Sequence, residues 1–214
     1  AHVCLLDALG IQKAGILGAS AGAPSAMQAA LRHPDRVSAL ILLVPIAYKP
    51  GTATDSSPPL SPMAQNTLMR LIGSDFVFWV AIKVARNQII KRVLATPPEL
   101  LVTASAQERA RVDAMVENIL PVSVRSSGLR DDSVLGKSLT RYPLETIRAP
   151  TLIISARDDG YGTYASAQYT ASQIKDAKFI GFEQGGHVWV GHDEEVKTEI
   201  VKLLQPTSLP SSPQ

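Results

Sequence analysis

The sequence predicts an α/β protein: a mostly parallel sheet flanked by helices, with a block of helices inserted midway. Three observations predict it. Short runs rich in apolar and β-branched residues recur at 14–17, 37–44, 151–156 and 178–182, as buried strands of a parallel sheet require. Helical patterns alternate with these runs. At the junction of the first run and a helix stands Gly18-Ala19-Ser20-Ala21-Gly22, a serine with a glycine two residues to either side.

The first strand, 14–17, is free of charge and is expected to be buried on both faces. In the turn after it, Ser20 is expected in a strained backbone conformation that pushes its hydroxyl out of the sheet. Gly18 and Gly22 are expected to leave room for that turn. The helix over 21–32 is alanine-rich, carries Pro24 in its first turn and ends at His33-Pro34. The second strand, 37–44, follows. Pro150 introduces the third, 151–156, which stops at Arg157-Asp158-Asp159-Gly160. A helix over 164–174 and a strand over 178–182 come next, and Gln184-Gly185-Gly186-His187 then presents a histidine on a glycine loop. The helix over 194–204 places Val196, Ile200, Leu203 and Leu204 on one face.

Between the second strand and Pro150 the composition changes. Residues 50–62, with Pro58-Pro59 and several serines, read as loop. Helices are expected over 63–72 and over 74–94, the latter capped by Ser74 with Asp75 in its first turn. A third starts at Thr96-Pro97-Pro98-Glu99, and the capping box Ser105-Ala106-Gln107-Glu108 opens a fourth. In that fourth helix Val112, Met115, Val116, Ile119 and Leu120 form an apolar face. The window 76–82 is the most apolar of the insertion, but Lys83 and Arg86 interrupt it well short of a membrane span. It reads as ordinary helix packing, with a greasy lid wall for an acyl or aromatic group as the alternative. The tail 205–214, with its prolines and serines, is expected to be disordered.

A serine hydroxyl becomes a useful nucleophile only when a base takes its proton and preorganised donors meet the oxyanion. Ser20, an acid at Asp158 or Asp159, and His187 each follow a strand in that order. The N–H of Ala21, at a helix N-terminus, is placed to serve as an oxyanion donor. His192 reads as a helix cap, His33 ends a helix, and His2 lies at the chain start. With a single cysteine, Cys4, and no histidine pair at ligand spacing, neither a metal nor another cofactor is expected.

On these residues the chain resembles the C-terminal two-thirds of the α/β-hydrolase fold family, of the capped serine hydrolase type. The resemblance rests on Leu5-Leu6-Asp7-Ala8-Leu9-Gly10-Ile11 before the elbow strand, on the elbow, and on Leu31-Arg32-His33-Pro34-Asp35-Arg36-Val37 after its helix. Ala149-Pro150-Thr151-Leu152 and Gly185-Gly186-His187 complete it. It implies a partial α/β-hydrolase fold in which Ser20 attacks a carbonyl carbon, His187 moves the proton, and Asp159, rather than its alternative Asp158, orients the imidazole. The implied layout is a hydrolase core over 1–50 and 146–204 around a helical cap over 51–145. The frame also implies that the first third of the fold is missing. With it goes the loop that supplies a second oxyanion donor. The chain is therefore read as the tail portion of a longer coding sequence, poorly active alone, with the elbow strand left as an unpaired apolar edge.

At 214 residues and 45% hydrophobic content the chain has material for a sizeable core. A net charge of +2 with interspersed signs, and 5% aromatic residues, give neither a basic stripe nor a stacking platform for nucleic acid. The expected partner is a small-molecule acyl substrate, lipophilic if the lid-wall alternative holds. No membrane span is expected, and the lone cysteine suggests the cytoplasm. The expected reaction is cleavage of an ester or related acyl bond through an acyl-enzyme. Carbon–carbon hydrolysis, acyl transfer and haloperoxidase-type chemistry use much the same triad. An inactive hydrolase-like binding module is the alternative of a different class.

Overall fold

In the computed structural model the described residues are 2–51, 73–135 and 139–205, side chains at 129, 130 and 133–135 excepted. Four parallel strands, β1 (Ala14–Ala19), β2 (Val37–Leu43), β3 (Thr151–Ala156) and β4 (Lys178–Phe182), form a sheet in the order β1-β2-β3-β4. β2 and β3 lie inside it and are almost wholly buried. Their side chains alternate between faces, as the pleat demands. Leu40, Leu42 and Ile153 join one apolar cluster, and Ala39, Ile41, Leu43, Leu152 and Ile154 join another.

Helices cover both faces. α1 (His2–Ala8) buries only Leu6, while Leu9, beyond its end, is exposed. α2 (Ala23–Arg32) starts two residues later than the sequence suggests, because Ser20–Gly22 form a separate 3-10 turn. It packs Ala23, Met27 and Ala30 into the first cluster. β1 differs from expectation more seriously. Among the described residues it is an edge strand paired only with β2, so Ile16 packs on the first cluster while Leu17 is 50% exposed. Burial on both faces is thus overturned, and the apolar edge is present.

The insertion is helical among its described residues: α3 (Asp75–Val84), α4 (Arg86–Arg92), α5 (Leu100–Thr103), α6 (Ala106–Glu117) and α7 (Ser126–Leu135). The helix expected over 74–94 breaks at Ala85 (φ −137°, ψ 36°), and both halves bury into one cluster through Phe78, Ile82, Ile89 and Ile90. The window 76–82 divides accordingly. Phe78 and Ile82 pack inward, whereas Phe76 (72% exposed) and Trp79 (49% exposed) stack on each other outside. Ser74 caps α3 and Ser105 caps α6, each accepting a backbone N–H. The capping box is only half formed, because Glu108 turns to Arg111 and to the Gly191 N–H. The apolar face of α6 buries Val112 and Val116 against Val188 and Val190, residues of the loop after β4. The expected helix over 63–72, most of the loop over 50–62 and nearly all of the tail lie outside the described residues.

α8 (Thr163–Gln173) and α9 (Asp193–Leu204) close the two faces. Val196 is buried and Ile200 and Leu203 partly so, while Leu204 sits exposed at the end of the stripe.

Candidate active site

Ser20 occupies the first position after β1 with φ +50°, a left-handed backbone that a residue with a side chain rarely adopts. Gly18 permits it: a Cβ there would lie 2.7 Å from the Ala26 Cβ and 2.8 Å from the Gly22 carbonyl oxygen. Gly22 does not play the expected part. Its backbone is right-handed and a Cβ would meet nothing within 4 Å among the described residues. The Ser20 carbonyl accepts from the Ile46 N–H at 3.1 Å, tying the turn to the end of β2. Ala21 follows in the 3-10 turn that leads into α2, where helix-terminal N–H groups gather.

The acid and the histidine meet. His187 Nδ1 lies 2.8 Å from Asp159 Oδ2, and both side chains are buried. Asp158, its neighbour in sequence, faces the glycine loop instead, where its two oxygens accept from the N–H groups of Gly185 (3.1 Å) and Gly186 (2.8 Å). Asp159 is held further by the Tyr161 N–H on Oδ1 at 2.9 Å and by the Thr163 hydroxyl on Oδ2. It also lies just before the N-terminus of α8, whose dipole favours a negative charge there. The Tyr161 ring meets the imidazole edge-on at 4.8 Å, and its hydroxyl donates to the Val93 carbonyl. Burial, aided by the Asp159 charge, raises the Tyr161 pKa and keeps the phenol neutral.

The insertion touches both loops. Gly160 N–H donates to the Ala95 carbonyl at 2.8 Å, Val188 N–H donates to the Thr96 hydroxyl at 3.3 Å, and Arg111 reaches the Val188 carbonyl at 2.7 Å. Gly186 (φ +63°) makes this approach possible, since a Cβ there would sit 2.6 Å from Thr96.

The sheet brings Ser20 to the same carboxyl edge as these loops, with two strand spacings, about 10 Å, between the strands that carry Ser20 and Asp159. No hydrogen bond joins the Ser20 hydroxyl to His187 among the described residues, and His187 Nε2 has no hydrogen-bond partner there. An open cavity of about 270 Å³ adjoins the elbow, lined by Ala21, Pro24, Ser25 and Ile46 of the core and by Asp132, Leu139 and Tyr142.

His192 stands at the N-cap of α9 but makes no side-chain cap. It stacks on Phe182 at 3.8 Å and pairs with the Gln184 carbonyl. Its expected capping role is therefore replaced by packing. Sequence reasoning missed Thr163, Tyr161 and Thr96. Short hydroxyl residues in a strand or at a helix start carry no local mark of a distant partner. Among the described residues, no group of three or more His, Cys, Asp or Glu gathers to hold a metal.

The family model described as alpha/beta hydrolase fold matches residues 1–190. A 2-hydroxy-6-oxononadienedioate/2-hydroxy-6-oxononatrienedioate hydrolase of Paraburkholderia phymatum is 26% identical over 192 residues, covering 86% of this chain and 59% of its own length. The similarly named protein of Paraburkholderia xenovorans is 28% identical over 211 residues, covering 94% of this chain and 65% of its own. This chain thus spans less than two thirds of the length of either. Among solved structures, an alpha/beta hydrolase fold protein from Nakamurella multipartita superposes with TM-score 0.63 at 24% identity, over 95% of this chain and 73% of that one. A meta-cleavage product hydrolase from Pseudomonas fluorescens gives 0.59 at 22%, over 94% and 68%. At these identities the structures speak for the fold.

Proposed function

This chain belongs to the alpha/beta hydrolase fold family, and from that premise we propose that it carries the catalytic residues of a serine hydrolase acting on a small-molecule carbonyl compound. The observation that carries the reading is the buried Asp159–His187 pair at 2.8 Å, which leaves Nε2 without a partner among the described residues, at the sheet edge where Ser20 holds φ +50°. In this reading the Ser20 Oγ attacks the carbonyl carbon while Nε2 takes its proton. Asp159 keeps the other ring proton on Nδ1 and stabilises the imidazolium. His187 then protonates the leaving group, giving an acyl-enzyme that water opens with the same base. The Ala21 N–H serves as an oxyanion donor, a contribution typically of about 3 kcal/mol in the transition state.

We assign 51–145 as a cap, supported by the seating of α6 and Thr96 on the histidine loop. Ester or related acyl cleavage is the primary reading. Hydrolysis of a carbon–carbon bond beside a ketone is the second, favoured by the curated relatives, whose named substrate is an oxo dicarboxylate. A cytoplasmic location goes with it, on the strength of the lone Cys4. No described helix is long and apolar enough to cross a membrane.

A fluorophosphonate probe tests the nucleophile in the full-length protein. Labelling should vanish in Ser20→Ala and nearly vanish in His187→Ala. Unchanged labelling in Ser20→Ala would reject the assignment, and a binding module would label in no variant.

A further inference from the structure

The hydrogen bonds behind Asp159 run in one direction, which follows from counting protons. A carboxylate only accepts. Asp159 Oδ2 therefore takes the Thr163 hydroxyl proton as well as the His187 Nδ1 proton. The one proton of Thr163 being committed, its 3.0 Å contact with Ser155 must run from the serine hydroxyl to the threonine oxygen. Ser155, Thr163 and Asp159 are 1%, 3% and 5% exposed, so water screens this chain of donors little.

We propose that Thr163, backed by Ser155, is a positioning residue that sets the basicity of His187 through the shared oxygen of Asp159. The proposal rests on the Asp159–His187 pairing used above. Two donors divide the charge of Oδ2. With the hydroxyl removed, that charge falls on the imidazole alone and the imidazolium becomes more favourable. The midpoint of His187 must then rise. Other groups face the pair from every side but none donates to Oδ2 among the described residues. Tyr161 meets the ring edge, and Asp158 holds the Gly185 and Gly186 amides. Arg111, with Asp193 and Glu108 beside it, reaches the Val188 carbonyl, and Glu108 accepts from the Gly191 N–H.

The test is an NMR titration of the His187 ring in the full-length protein, its signal assigned by loss in His187→Gln. Thr163→Val should raise the midpoint by about one pH unit, the size of a charge-assisted hydrogen bond. Thr163→Ser should restore it, and Ser155→Ala should shift it upward by a smaller amount. With p-nitrophenyl acetate as the probe substrate, the acid limb of kcat/KM should move with the midpoint while KM stays within about twofold. An unmoved midpoint in Thr163→Val, or a Thr163→Ser variant that behaves like the valine, overturns the proposal. Should Thr163→Val not fold, Ser155→Ala decides: a rise supports the relay and no rise overturns it. Unchanged fluorophosphonate labelling in Ser20→Ala would reject the nucleophile without touching this readout, so the two failures are distinguishable.

Discussion

Asp158 and Asp159 grip the same loop by different parts: Asp158 accepts the backbone N–H groups of Gly185 and Gly186, and Asp159 accepts the ring nitrogen of His187. Adjacent residues face differently here because the chain turns between the end of β3 and α8. One carboxylate holds the loop and its neighbour orients the ring.

Replacing these residues should therefore have unequal effects. Asp159→Asn is expected to slow fluorophosphonate labelling by roughly 10³- to 10⁴-fold, as loss of the correct tautomer does in triads. Asp158→Ala should cost only about tenfold and lower the melting temperature, since the ring keeps its partner. Labelling kinetics on folded variants decide this, and the reverse ranking would exchange the two roles.

The two elbow glycines should differ as well. Gly18→Ala places a methyl 2.7 Å from the Ala26 Cβ and is expected to cost about 1–3 kcal/mol. Gly22→Ala, with a right-handed backbone and open space, should change stability by about 0.5 kcal/mol or less. Urea midpoints of the two variants compare them directly.

Arg111 couples the insertion to the histidine loop, bonding Glu108 at 2.8 Å and the Val188 carbonyl at 2.7 Å and lying over the Trp189 ring. Its truncation to alanine leaves the buried Asp193 and the half-buried Glu108 less compensated and should destabilise the protein by about 3 kcal/mol. Labelling by the probe should slow in the same variant if the loop loosens. Chemical denaturation followed at Trp189 fluorescence reads the first effect.

Asp193 gives the molecule an acid-sensitive joint. Burial pushes its carboxyl upward, but hydrogen bonds from Lys197 and Trp189 and the charges of Arg111 and Lys197 outweigh this and hold it below 3.8. A depressed carboxylate contributes stability that is complete above its unfolded value and is lost as pH falls through the folded one. The denaturation midpoint should thus decline on acidification below about pH 4, and Asp193→Asn should flatten part of that decline. A curve identical to wild type would remove Asp193 from the acid limb.

Much of the frame was legible in the chain itself. β2, β3 and β4 are read from short apolar runs bounded by turn residues, and Ser20 from its glycine spacing, because burial and backbone strain leave local marks. Gly22 and His192 mislead for the same reason: a glycine beside a strained serine and a histidine before a helix look purposeful, yet space and stacking decide what they do. The break at Ala85 carries no glycine or proline to mark it, since packing of two helix halves into one cluster sets it.

The sequence alone determined the α/β frame and the order serine, acid, histidine, because strand periodicity, glycine spacing and turn residues act over a few positions. Only the tertiary structure chose Asp159 over Asp158 for the imidazole and recruited Thr163 and Ser155 behind it. Hydrogen-bond geometry discriminates at tenths of an ångström, and the positions that satisfy it are distant in the chain and meet only when the sheet assembles.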